Sequence, residues 1–76
     1  MDDWNDWIED NPIRAQRKKR EWSQAKLAAV CNVSYKTVAH WEDGSQVPGD
    51  ENVQALVFVF GEGIESDLKK WMQKKP

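Results

Sequence analysis

Helix start and stop signals recur along this chain at such short spacing that little fits between them except short helices. Asn11-Pro12 joins an N-cap residue to a proline at the first helical position, and it opens a helix that runs to about Glu21. Ser23 caps the next, which reaches Cys31, and Asn32 then tolerates the left-handed conformation that a tight turn needs. Ser34 caps a helix that runs to about Asp43 and stops at Gly44. After the loop SQVPG, Asp50 caps a helix from Glu51 to Phe60, and the sequence GEG breaks the chain again. Ile64, Leu68, Trp71 and Met72 repeat at i, i+4, i+7 and i+8, the stripe of an amphipathic last helix. Period-two alternation is confined to VFVF at Val57 to Phe60, read as the buried end of its helix.

The expected class is therefore all-α, a compact bundle of about five short helices. In the N-terminal stretch MDDWNDWIEDNP, Trp4, Trp7 and Ile8 share one helical face among acids that favour a helix N-terminus. It reads as a further short helix over part of the core, with disorder as the alternative.

At 76 residues the chain is one domain, near the lower size at which an apolar core holds a fold unaided. It divides into an acidic, Trp-bearing extension (1–11), a core (12–61) and a C-terminal helix (62–76). The lone Cys31 excludes an internal disulfide and any Cys-rich zinc site, which points to a reducing compartment. There is no signal-peptide pattern, and the apolar run at Ala55 to Phe60 falls far short of the roughly 20 residues a membrane span needs. A cytoplasmic protein without membrane contact is expected.

Net charge is −2, which ill suits a polyanion binder, but the charges are segregated. Residues 1–10 hold Asp2, Asp3, Asp6, Glu9 and Asp10 and no base. Residues 14–50 hold seven bases against four acids, so only this region is suited to a phosphate backbone.

The segment SQAKLAAVCNVSYKTVAHWEDGSQVPG resembles the helix-turn-helix of the phage repressor and Cro-like (XRE-type) DNA-binding family. The likeness spans residues 12 to about 61. Ser23-Gln24, Leu27-Ala28, Val33-Ser34, Val38, Trp41-Glu42, Gly44 and Pro48 carry it, all in register. It implies a lambda repressor-like domain that binds double-stranded DNA sequence-specifically and regulates transcription from phage, prophage or bacterial cytoplasm. The recognition helix would be residues 34–43, presented by a homodimer to a palindromic operator. It further implies that Gln24 meets a phosphate and braces the recognition helix, and that Arg17 and Glu42 form a partly buried ion pair. Two departures stand out. The family usually has glycine where this chain has Glu21 and Asn32, and a basic loop where it has Ser45, Gln46 and Val47.

Spacing supports the same frame independently. Leu27, Val30, Cys31, Val33, Val38 and Trp41 can face one interior if two helices cross steeply, with Ala28 permitting close approach. Subtracting that core leaves Tyr35, Lys36, Thr37, Ala39, His40 and Asp43 on the outer side. Tyr35, Lys36 and Thr37 head the helix and are best placed to reach base edges. Lys36 can donate to guanine, Thr37 can bond either way, Ala39 can pack on a thymine methyl, and His40 follows one turn later. The plain alternative is a solvated face. Ser23, Gln24, Ser45 and Gln46 are the phosphate-contact candidates, through hydroxyls, amides and a helix N-terminus. Arg14, Lys18 and Lys19 are either a solvated face or a phosphate-attracting flank.

One histidine without a nucleophile partner, no glycine-rich phosphate loop and no paired carboxylates argue against an enzyme, a metal site or a cofactor. The rival reading keeps the scaffold and changes the partner: a module that binds RNA polymerase, a toxin or another regulator through the N-terminal or C-terminal helix. The acidic first ten residues and the non-basic loop favour it. Val59, Phe60, Trp71 and Met72 are either a dimer surface or internal packing.

Overall fold

A computed structural model describes residues 3–76, and Met1 and the acidic Asp2 lie outside the described residues. Among these residues there are six helices and no strand: α1 (Asp3–Glu9), α2 (Pro12–Lys19), α3 (Gln24–Cys31), α4 (Tyr35–Asp43), α5 (Asp50–Phe60) and α6 (Gly63–Gln73).

Local capping chemistry sets three of the six starts. The Asn11 side chain accepts from the Arg14 amide at 3.0 Å, Ser23 Oγ from Lys26 at 3.0 Å, and Ser34 Oγ from Thr37 at 3.2 Å. Each offers a side-chain acceptor to an amide of the first helical turn, where intrahelical partners are scarce. The start of α5 differs from expectation: Gly49 is the cap residue, and Asp50 already lies in the helix without a side-chain cap bond. There its carboxylate still favours the helix through the N-terminal dipole.

The stops of α2 to α5 involve residues with positive φ. Helix α2 ends at Lys19, short of the expected Glu21, because Glu21 itself turns left-handed at φ 58°. The amides of Glu21 and Trp22 then return to the carbonyls of Lys18 and Arg17 at 2.9 and 3.1 Å, a Schellman closure. Asn32 ends α3 the same way at φ 57°, with the Val33 amide on the Ala28 carbonyl at 3.0 Å. Both positions adopt a conformation that costs a side-chain-bearing residue about 1 kcal/mol, less for asparagine than for glutamate.

Every helix sends a side chain into one core: Trp7 from α1, Ile13 from α2, Leu27, Ala28 and Cys31 from α3, Val38 and Trp41 from α4, Leu56 from α5, and Ile64, Leu68 and Trp71 from α6. Burial pushes the Cys31 thiol up, so it stays a neutral apolar group. Val33, Phe60 and Met72 are partly buried against this core.

Three apolar expectations fail. Trp4 is 47% exposed, although the sequence pattern sets it on the core-covering face of α1 with Trp7 and Ile8. Val30 is 42% exposed, because it lies roughly 100° around α3 from the centre of the Leu27, Ala28 and Cys31 stripe. Phe58 is 83% exposed: a helix cannot turn four consecutive residues inward, and Leu56, Val57 and Phe60 take the core side.

No described helix is long and apolar enough to cross a membrane.

Candidate nucleic-acid interface

Helix α4 is anchored through one side and open on the other. Val38, Trp41 and Glu42 are buried, so Tyr35, Lys36 and His40 turn outward, with Thr37 and Ala39 half-buried at the margin. Tyr35 is 57% exposed.

Beneath this face, Glu42 gathers three donors. Arg17 meets it with both arms of its guanidinium, Nε to Oε2 at 2.7 Å and Nη2 to Oε1 at 2.8 Å. Gln24 Nε2, from the first turn of α3, adds a third bond to Oε1 at 3.3 Å. The remaining Arg17 arm donates to the Trp22 carbonyl at 2.8 Å and holds the turn between α2 and α3. Hydrogen bonding to Glu42 raises the Arg17 pKa further, against desolvation, so the guanidinium stays charged although buried. One buried carboxylate thus ties α2, the start of α3 and α4 into a unit, and fixes the start of α3 beside the outward face of α4.

Several of the candidate contact groups are already engaged within the protein. Thr37 Oγ1 lies 2.9 Å from Ser34 Oγ, an arrangement in which either hydroxyl donates. His40 Nδ1 lies 2.9 Å from Ser45 Oγ, and Asp43 Oδ1 accepts from the Ser45 amide at 2.8 Å. The Gln46 amide returns to the His40 carbonyl at 3.2 Å. Ser23, Ser45 and Gln46 are exposed and Gln24 is half-buried. Lys36, Tyr35 and the Gln46 side chain have no hydrogen-bond or ion-pair partner among the described residues, so they reach outward without breaking an internal bond.

The basic residues of α2 and the following turn are used unevenly. Arg14 pairs with Glu9 at 3.5 Å. Arg20 bonds Gln16 and lies 4.8 Å from the Phe60 ring centre, which holds it at the α2–α3 turn. Lys18 and Lys19 stand exposed.

Two supports of α4 escaped the sequence reading. The Asn11 side chain, fully buried, caps α2 with its oxygen and donates through Nδ2 to the Trp41 carbonyl at 3.0 Å. Only the capping half leaves a signature in sequence. The other support is the packing of Trp7 and Trp71 around Gly44, which pairs residues from opposite ends of the chain.

Comparison with known proteins finds a helix-turn-helix family model that matches residues 13–65. Searches of curated proteins and of solved structures return no significant match. The matched span contains the Arg17–Glu42–Gln24 junction, all of α4 and the loop after it. With well over half of its length so matched, the chain belongs to the helix-turn-helix family of the Cro/C1-like (XRE) type, a DNA-binding regulatory family.

Proposed function

We propose that the protein is a sequence-specific transcription regulator that lays α4 in the major groove of double-stranded DNA, as a homodimer on a palindromic operator. The observation that carries this reading is the open side of α4: Tyr35 and Lys36 stand exposed at its first turn while its opposite side is fixed by the buried Glu42 junction. Tyr35, Lys36, Thr37, Ala39 and His40 are the base-contacting set. Ser23, Gln24, Ser45 and Gln46 are the phosphate-contacting set. Gln24 has two roles, since its side chain reaches Glu42 and its backbone heads the α3 N-terminus.

Selection of bound sites from a random DNA library tests the proposal. A palindrome with half-sites about one helical turn apart supports it, and failure to enrich any sequence at low salt rejects it. Against the selected site, Lys36→Ala costs about 1 to 3 kcal/mol of discrimination with the fold intact. Few phosphate contacts per subunit also predict a shallow salt dependence, with a log–log slope no steeper than about −8 per dimer.

Phe58 favours a second reading, in which the scaffold binds RNA polymerase, a toxin or another regulator, because an aromatic ring this exposed suits a protein contact. Retained DNA binding in Phe58→Glu, read against loss in Lys36→Ala and Gln24→Ala, separates the readings.

A further inference from the structure

Two side chains outside the family-matched residues 13–65 meet at the end of the recognition helix. Trp7 of α1 and Trp71 of α6 stack with ring centres 3.9 Å apart and planes 1° from parallel. Each indole N–H donates to the other residue's backbone carbonyl, at 2.8 Å from Trp7 and 2.6 Å from Trp71. Both rings are buried, and both reach Gly44. A methyl group at position 44 would collide with the Trp7 ring and stand 3.4 Å from Trp71 Cη2. Gly44 also sits at φ 82°, so the indole pair rests on the residue whose left-handed turn ends α4.

That turn leads directly into Ser45 and Gln46. Their amides close it locally, on the Asp43 carboxylate and the His40 carbonyl. The two exposed residues have no burial of their own to hold them, whereas Gly44 is clamped. We propose that the Trp7–Trp71 pair positions this turn for DNA contact, which makes Trp7, acting through Gly44, a positioning residue that itself stays off the DNA. The inference rests on the DNA-binding reading of Ser45 and Gln46. Its physical basis is preorganisation: a turn fixed beforehand loses less freedom when it meets a phosphate.

The test uses the full chain and the selected duplex, below the melting transition, with the folded fraction checked by circular dichroism. Trp7→Ala weakens binding about tenfold, the equivalent of one hydrogen bond to a charged group, and Trp7→Phe, which keeps a ring on Gly44, stays within about twofold. In a Ser45→Ala/Gln46→Ala background the same Trp7→Ala change has less than about a twofold effect. An equal loss in both backgrounds overturns the proposal, because mere structural damage does not depend on those two side chains. Amide hydrogen exchange of the free protein gives a second arm: Trp7→Ala speeds exchange at Ser45 and Gln46 while sparing the Asn32–Val33 turn. Uniform acceleration at both turns overturns it. If the wild type binds no DNA, the DNA-binding reading falls, and the exchange arm alone decides whether the pair controls the turn. Should Trp7→Ala not fold, Trp7→Leu takes its place under the same criteria.

Discussion

The two ends of α4 are held in opposite ways. At its N-terminus the hydrogen bonds lie within four residues: Ser34 accepts from the Thr37 amide and shares a hydrogen bond with the Thr37 hydroxyl. At its C-terminus the supports come from far along the chain. Asn11 reaches the Trp41 carbonyl across 30 residues, Arg17 reaches Glu42 across 25, and Trp7 and Trp71 close on Gly44. The difference has a functional logic. Tertiary hydrogen bonding occupies surface, so on the proposed reading a helix that offers its first turn to a groove caps that turn with its own residues and takes its long-range polar anchorage at the other end.

Removing Arg17 attacks the clamped end most severely. Arg17→Ala leaves Glu42 buried with Gln24 as its remaining donor, and frees the Trp22 carbonyl that Arg17 also held. A loss of about 3 to 5 kcal/mol in urea unfolding follows from stranding a buried charge. A loss below about 1 kcal/mol would mean that Glu42 escapes to water easily and that this end is not clamped. Replacing both partners with apolar residues, as Arg17→Met with Glu42→Leu, recovers much of that loss.

Asn11→Ala comes next, at about 2 to 3 kcal/mol, because one change removes a helix cap and leaves the Trp41 carbonyl without its buried donor. Asn11→Ser sharpens the comparison: it restores the cap alone, worth about 1 kcal/mol, and leaves the long-range part lost. Full recovery by serine would show that Asn11, like Ser34, acts only locally.

What the sequence discloses follows the same division. Asn11-Pro12, Ser23, Ser34 and Gly44 are readable because a cap or a stop acts on its own neighbours. The inward stripe of Val38 and Trp41 is readable too, and the outward direction of Tyr35, Lys36 and His40 follows from it by subtraction. Periodicity says which residues share a face, yet the edge of burial depends on the neighbouring helix; hence Val30 and Phe58 stand exposed although the pattern places them inside. Glu21 ends α2 without any local signal, since glutamate is not a left-handed residue by preference. The Trp7–Trp71 pairing leaves no sequence trace, because a bond across 64 residues depends on the assembled fold.

The smallest predicted effect is at the locally capped end. Ser34→Ala removes the side-chain acceptor of the Thr37 amide, leaving it the Ser34 carbonyl, and costs about 1 kcal/mol, while Ser34→Asp keeps a side-chain acceptor and suits the helix dipole, so it stays within a few tenths of a kcal/mol of wild type. Six residues of helix lie between this cap and Trp41, whose carbonyl Asn11 holds, a rise of about 10 Å. Changes that far apart add, so the double variant Ser34→Ala/Asn11→Ala should lose the sum of the single losses to within about 0.5 kcal/mol. Calorimetric or urea unfolding of the four proteins decides it. A larger coupling would mean that the two ends of α4 share one support, and an end that shares its support is not free to enter a groove alone.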